Sequence, residues 1–533
     1  MTEANKISLR RRADYAAWIV LALICSVYIF RTNSIFYFHG GDNANYVLLA
    51  KALAGGEGYR DTFKPGAPPH THYPPLFPLM LAAVVAFRGI DIFFMKLLVS
   101  IGAAATLILT FILLRRRSFA LPLMAVVWFG CSNIFFSHSD KLLSETIFMA
   151  FAIASLLFFD KWLEKGGWKS LVITVIACWA AQMTRTAGVT IAPAVGFTSL
   201  LRRDKSKKNI LESVALMSIC LLPAFVWGLR NHMVSGGEAA GYLSQLLSVD
   251  PYDPTRGYIG VMGFVVRFLD NARAYIFDTN GLLWIDFGTV NLPKTGIWTI
   301  MILFWVLVII GFGSRVGKGI GVTEVFIFFY IGMISIWPFR GSRFMMPAYP
   351  FLMAYTVEGA SVVIHLFSEK RKAVKWTIAS LLIVIFSVSL SINALGSGIQ
   401  HFRTSERIKR KKIRVDEGIY MYTFWEDYDR LLRLCMWLAR KTEPGALVMA
   451  RKPRLVALAS GHPVIGVPLV MPDDPKKWLI EKEIRYILVD EAYPNTIEFM
   501  RALTGGEKLI PGVKISFGLG YTMLVEITPS LLE

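Results

Sequence analysis

The chain has 533 residues, of which 54% are hydrophobic and only 18% charged, and its mean hydropathy is +0.49. A soluble domain is about a quarter charged, so this composition excludes an ordinary soluble enzyme and a disordered chain. Lys and Arg number 57 against 38 Asp and Glu, a net charge of +19. In a soluble protein that excess would point to nucleic acid; here the basic residues fall between apolar runs and mark membrane topology instead.

Lys6, Arg10, Arg11 and Arg12 precede an apolar run over 15–30. A basic segment followed by an apolar one resembles a signal peptide, but the apolar runs beyond it favour an uncleaved first span. Further runs fall near 92–114, 119–137, 142–160, 170–184, 186–200, 211–229, 296–313, 322–338, 345–367 and 376–395. Several reach the roughly 20 residues that a bilayer core requires. The runs at 170–184 and 186–200 are short and meet at Arg185, as two short helices or one kinked hairpin. The run 76–87 follows Tyr73-Pro74-Pro75 and is too short to span, which suits an interfacial or re-entrant helix on the outer face.

The connecting loops sort by charge. Arg115 to Arg117, Lys161/Lys165/Lys169, Arg202/Arg203/Lys205/Lys207/Lys208, Arg315/Lys318 and Lys370/Arg371/Lys372/Lys375 join the N-terminal basic group at every second loop. The positive-inside rule places all of these in the cytoplasm. The segments 31–91, 138–141, 230–295, 339–344 and the whole tail after 396 are then external, as is Arg185. About eleven crossings of the cell (inner) membrane result, with the N-terminus cytoplasmic and the C-terminus extracytoplasmic.

The sequence changes character at about 397. The segment 409–414 is basic, and 427–441 has helical periodicity with Leu431, Leu432, Cys435 and Leu438 on one face. Short apolar runs at 446–449, 463–467, 486–489, 513–517 and 522–527 are separated by turn residues such as Glu443-Pro444-Gly445 and Ser460-Gly461. The expected organisation is a membrane domain over 1–396 and a small external α/β domain over 397–533. Of the five cysteines, Cys25, Cys131, Cys178 and Cys220 lie in apolar runs and Cys435 in a polar region. No CxxC or Cys/His cluster appears, so neither a disulfide framework nor a recognisable zinc site is expected.

The external loops hold the residues that carry chemistry. The first contains Gly40-Gly41-Asp42-Asn43-Ala44-Asn45-Tyr46 and ends with His70-Thr71-His72-Tyr73-Pro74-Pro75. Asp42 lies just past span 1, at the membrane boundary. Residue type alone leaves it either as the cap of a helix beginning near Ala44 or as a catalytic carboxylate. The loop 138–145 supplies Asp140 and Glu145. Asp140 beside Lys141 reads equally as a solvated turn. Glu145 is an ionisable group at membrane depth, which faces a cavity or partner or serves a first-turn N–H. Arg185, Arg340 and Arg343 lie on the same face, and guanidinium groups there either grip a phosphate bidentately or snorkel to the interface. His39, His70 and His72 share the first loop, yet their spacing is weak evidence for a metal. No metal or other cofactor is therefore expected, although a divalent ion is conceivable. Together, carboxylates from two external loops and arginines from two others suit an anionic lipid-linked substrate held beside a base.

The stretch from Asp42 and Tyr46 through Ala50, Leu53, Gly58-Tyr59 and Tyr73-Pro74-Pro75-Leu76 resembles the first external loop of GT-C glycosyltransferases. The likeness is to the branch of dolichyl-phosphate-mannose–protein mannosyltransferases and bacterial aminoarabinose transferases. Ser144-Glu145, Thr184-Arg185-Thr186-Ala187-Gly188, Arg230-Asn231, Pro251-Tyr252-Asp253-Pro254 and Arg343-Phe344-Met345-Met346-Pro347 recur at corresponding places. The resemblance covers about residues 10–396. It implies inverting transfer of a sugar from a polyprenyl-phosphate-linked donor to a protein, glycan or lipid acceptor on the outer face. Asp42 would be the general base, Asp140 or Glu145 its partner, and Arg185, Arg343, Arg340, Tyr73 and His72 the substrate contacts. Many relatives carry a second acidic residue directly after the base; this chain has Asn43, which counts against a metal-dependent variant. The alternative is a transporter or flippase of a lipid-linked saccharide. That reading needs substrate groups near the bilayer midplane and often shows inverted repeats, whereas the ionisable residues here gather at one face. A sensor with an external ligand-binding tail leaves the charged loops unexplained.

Overall fold

The computed structural model describes residues 3–37, 41–236, 241–251, 256–277, 294–366, 413–416, 419–422, 426–468, 470–490, 494–505, 511–519 and 522–528. The protein is mostly helical. Among the described residues four helices are long and apolar enough to cross a membrane: Ile92–Arg116, Glu145–Lys165, Lys207–Val234 and Trp298–Gly317. At 1.5 Å per residue each matches a hydrocarbon core of about 30 Å. Asp14–Phe30, Leu76–Arg88 and Val322–Ile336 are shorter apolar helices. The run expected at 376–395 lies outside the described residues, as do 252–255, His39 and most of 409–414.

The long helices differ in how far protein surrounds them. Ile92–Arg116 and Glu145–Lys165 are more than half buried in their apolar windows, whereas Lys207–Val234 is only 17% buried. Its Leu211, Phe225 and Leu229 point outward, an apolar surface suited to lipid contact. Elsewhere glycine sets the packing. A Cβ on Gly311 would lie 1.9 Å from the carbonyl oxygen of Tyr355, so helices Lys294–Gly317 and Tyr349–Leu366 cross with backbones in contact.

One apolar run is more broken than its hydropathy predicts, and another break falls where the sequence places it. The run 119–137 forms two short helices, Pro122–Gly130 and Asn133–His138, around an extended Ser132. The Ser132 hydroxyl donates to the carbonyl of Phe129 at 2.7 Å, a local bond that competes with continuing the helix. The second break falls at Arg185. Trp168–Thr184 stops there, Arg185 is extended, and a 3-10 turn over Thr186–Thr190 leads into Ile191–Arg202. The turn folds back so closely that a Cβ on Gly188 would lie 2.7 Å from the backbone nitrogen of Gln182.

The tail carries a five-stranded sheet, in the order Val464–Ile465, Val448–Met449, Tyr486–Val489, Thr522–Ile527, Val513–Leu519. The first three strands are parallel and the last two antiparallel. Helix Glu426–Lys441 buries Leu431, Leu432, Cys435 and Leu438, the face its periodicity marks. That face does not close a core of the tail alone. It joins a cluster with Phe36, Tyr46, Leu49, Tyr73 and Phe77 from the segment 31–91. Strand Ile35–Tyr37 also pairs in parallel with Ile419–Tyr422, and the Val464 N–H donates to the carbonyl of Phe63 at 2.7 Å.

At the far end of helix Glu145–Lys165 lies a buried ion cluster. Arg117 pairs with Asp160 at 3.1 Å and with Glu324 at 3.0 Å. The guanidinium lies against Gly321, where a Cβ would collide with it. Glu358 accepts from the Ala120 N–H at 2.8 Å and pairs with Lys318 at 2.6 Å.

Candidate active site

Gly41 and Asp42 set the geometry. Gly41 occupies the N-cap position of helix Asp42–Ala54 in the left-handed region, with φ 93°, which glycine adopts without strain. The capping reading of Asp42 is thereby replaced: Asp42 is the first helical residue and its side chain caps nothing. Its carboxylate turns outward and remains about a quarter exposed. One oxygen, Oδ1, accepts from the Tyr73 hydroxyl at 2.8 Å; the other, Oδ2, accepts from Nη2 of Arg343 at 2.9 Å. Nη1 of Arg454 lies 3.7 Å from Oδ1. Burial pushes the Asp42 carboxyl up, but Arg343, the Tyr73 hydrogen bond and Arg454 together outweigh it and hold the pKa below the usual carboxylate range. Asp42 is therefore ionised at neutral pH.

The loop 55–75 is built to fix Tyr73. The backbone N–H of Tyr73 donates to Nε2 of His70 at 2.8 Å, and Nδ1 of His70 faces Asp61 at 2.7 Å. An Nε2 that accepts carries no proton, so the Nδ1–H is the one donated to Asp61. Burial raises the Asp61 carboxyl, but His70 and Lys64 reverse this and take its pKa down to about 2. Burial lowers the His70 pKa despite Asp61, giving a neutral imidazole beside a carboxylate. The Tyr59 hydroxyl donates to the Tyr73 carbonyl at 2.9 Å, and the rings of Tyr46 and Tyr73 pack at 4.7 Å between centroids. The end of helix Lys207–Val234 grips the same loop, Arg230 through the His70 carbonyl and Asn231 through the Thr71 carbonyl. His72 packs on Tyr242 at 4.3 Å; burial, then Arg454, depresses its pKa to about 3.

A second carboxylate lies next to this group. Glu145 is buried at the start of its helix and pairs with Nη1 of Arg185 at 2.7 Å. The same Arg185 nitrogen donates to the Ser144 hydroxyl, which in turn bonds the hydroxyl of Tyr46. Tyr46 is four residues after Asp42 on one helix, so Asp42 and Glu145 are linked through Tyr46 and Ser144. Arg343 feels both carboxylates.

Asp140 and Arg340 are engaged elsewhere. Asp140 does not sit in a solvated turn with Lys141; it pairs at 2.7 Å with the buried Lys96, whose ammonium also donates to Asn33. Nε of Arg340 donates to Asn271 at 2.6 Å, and its Nη2 lies 3.7 Å from Asp270. Among the described residues no group of three or more His, Cys, Asp or Glu side chains comes together to hold a metal ion.

Two residues escaped the sequence reading. Lys96 sits inside an apolar run, where an ionisable group is itself a signal. Arg454 belongs to Arg451-Lys452-Pro453-Arg454, and nothing local to that segment points to Asp42.

No protein-family model matches the sequence, and no curated protein matches it. Solved structures do match in fold. ArnT from Cupriavidus metallidurans in the apo state superposes with a TM-score of 0.54 at 13% identity, over 97% of this chain and 99% of that one. ArnT bound to undecaprenyl phosphate gives a TM-score of 0.53 at 13% identity, over 96% and 98%. The archaeal oligosaccharyltransferase AglB from Archaeoglobus fulgidus, in complex with an inhibitory peptide and a dolichol-phosphate, gives 0.58 at 13% identity, over 97% of this chain and 75% of that one. The chain has the fold of these glycosyltransferases, and four of its described helices are long and apolar enough to cross a membrane.

Proposed function

We propose that the protein is a membrane glycosyltransferase that moves a sugar from a polyprenyl-phosphate-linked donor to a protein, glycan or lipid acceptor by inverting transfer, with Asp42 as general base. The observation that carries this reading is the Asp42 carboxylate, ionised, partly exposed and held by Tyr73 and Arg343 beside the Glu145–Arg185 pair. A carboxylate offers about four lone-pair positions. Tyr73 and Arg343 each take one, on different oxygens, and leave room for an acceptor hydroxyl.

In the step we infer, the acceptor oxygen attacks the anomeric carbon of the donor as Asp42 takes its proton. The bond from that carbon to the phosphate oxygen breaks, and the electron pair leaves with the carrier phosphate. Arg343, with Arg185 behind it, meets the charge that develops there. Glu145 keeps Arg185 in place, and His72 and Tyr242 offer an aromatic wall. The bound undecaprenyl phosphate of ArnT and dolichol-phosphate of AglB support a carrier of this type. In the same reading the protein spans the cell membrane repeatedly with residues 1–396, and residues 397–533 lie outside with the site.

Incubating the purified protein with a panel of polyprenyl-phosphate sugars and a mixed acceptor extract tests the proposal. Carrier-phosphate release from one donor, lost in Asp42→Asn, is the expected result. No release from any donor, together with movement of a lipid-linked saccharide across proteoliposome bilayers, overturns it in favour of a transporter.

A further inference from the structure

The residue nearest to Asp42 that its function has not yet used comes from the tail. Arg454 is the second residue of helix Pro453–Ser460. Its Nη1 donates to the Tyr73 hydroxyl at 3.0 Å and lies 3.7 Å from Oδ1 of Asp42, and its guanidinium sits 5.7 Å from the Tyr73 ring centroid. A cation in the first turn of a helix faces the positive end of the helix dipole. Helix stability therefore does not explain an arginine here; the groups it meets do. The helix is well anchored to present it, since Leu455 and Val456 are fully buried in the cluster shared with the first external loop.

We propose that Arg454 is a positioning residue of the active site, so that the tail completes the catalytic group as well as covering it. A phenol has one proton to give. With Arg454 donating to the Tyr73 oxygen, that proton is directed to Oδ1 of Asp42, which fixes the plane of the carboxylate. Arg454 also brings a second positive charge to the base, near Oδ1, while Arg343 holds Oδ2. The tail is tied to both flanks of Asp42, at Ile35–Tyr37 upstream and at Phe63 downstream, so Arg454 is delivered by a rigid support. The charged and titratable groups that face Asp42 are Arg343, Arg454, Tyr73, Tyr46, Tyr242, His72 and Lys452. Of these only Arg454 both touches Tyr73 and carries charge to Oδ1.

The inference rests on Asp42 acting as the base, and the test separates the two. Full-length Asp42→Asn, Arg454→Gln and Arg454→Lys proteins are assayed for kcat and for both KM values across pH 3 to 9. Arg454→Gln should lower kcat about tenfold or more with donor KM nearly unchanged. The low-pH limb of its kcat profile should move upward, because Asp42 loses a positive neighbour and must still be ionised to act. Arg454→Lys keeps the charge and should restore the limb while regaining only part of kcat, since an ammonium on a shorter stem does not place its nitrogen where Nη1 meets both Tyr73 and Asp42. A folded Arg454→Gln protein with normal kcat and an unmoved limb, while Asp42→Asn is inactive, overturns the inference and leaves the base in place. A loss confined to KM with an unmoved limb also overturns it and makes Arg454 a substrate contact. Near-normal turnover in Asp42→Asn removes the base itself. If Arg454→Gln fails to fold, the lysine variant decides: full kcat in it sinks the positioning role.

Discussion

The two ends of helix Glu145–Lys165 carry the same chemistry to different purposes. Asp160 lies 15 residues beyond Glu145 on that helix, about 22 Å at 1.5 Å per residue. At the Asp160 end, Arg117 and its two carboxylates are at most 5% exposed, and Glu324 also accepts from the Gly321 N–H and the Tyr355 hydroxyl. At the other end, Asp42, Arg343 and Arg454 keep between 25% and 31% of their side-chain surface. A cluster buried this deeply, its charges paired within the protein, has no place for a ligand and works as a clamp between helices. A partly open one keeps lone pairs and donors available. Residue types do not distinguish a clamp from a site; exposure does.

This contrast yields predictions that break or sharpen it, from the largest effect to the smallest. Arg117→Met leaves Glu324 buried without its cation and Asp160 with Arg116 alone. Breaking such a pair costs about 3–5 kcal/mol, so the variant should lose thermal stability and yield while keeping normal turnover per folded molecule. A stable Arg117→Met protein with lost turnover would move function to the wrong end. Asp42→Asn should do the reverse, with turnover down about 100-fold or more and a melting temperature close to that of the unmodified chain, because its partners can return to water. Arg343→Ala should weaken donor binding by about 10- to 100-fold, the range for a hydrogen bond to a charged group, with Arg343→Lys recovering part of it; unchanged donor affinity reduces Arg343 to an interface anchor.

The smallest effect is a pH dependence. His72 is held neutral in the folded protein down to a pKa of about 3, whereas an imidazole in the unfolded chain titrates near 6.5. Below about 6.5 the unfolded chain therefore takes up a proton that the folded one does not. Stability from this residue is fully present above 6.5 and is lost as pH falls toward 3, at a slope of at most about 1.4 kcal/mol per pH unit. Denaturation midpoints at pH 7 and pH 5 should differ less in His72→Phe, which keeps the ring against Tyr242. An equal difference in both proteins would show that His72 does not titrate on unfolding.

Much of this was legible in the sequence, for local reasons. The tail strands were, because short apolar runs between turn residues have few other structures open to them. Asp42, Tyr73, Glu145, Arg185 and Arg343, which the structure brings together, were singled out because polar loop residues stand out against apolar neighbours. The break at Ser132 was hidden, since hydropathy runs straight across it. Arg117 was read only as a cytoplasmic marker, because charge patterning does not tell a solvated arginine from one packed on Gly321. Arg454 could not be found locally: its partners Tyr73 and Asp42 lie in a distant loop, and only the pairing of that loop with the tail brings them together.

That pairing also imposes an order in time. Ile35 meets Tyr420, a residue made about 385 positions later. At roughly 5–20 residues per second, the strand beside Asp42 waits about 20 to 80 s for its partner. Throughout that interval the nascent chain holds Asp42 without Arg454 and a sheet edge without its neighbour. A chain interrupted before Tyr420 should thus lack this support altogether, and its open edge gives quality-control proteases a mark that the finished molecule conceals.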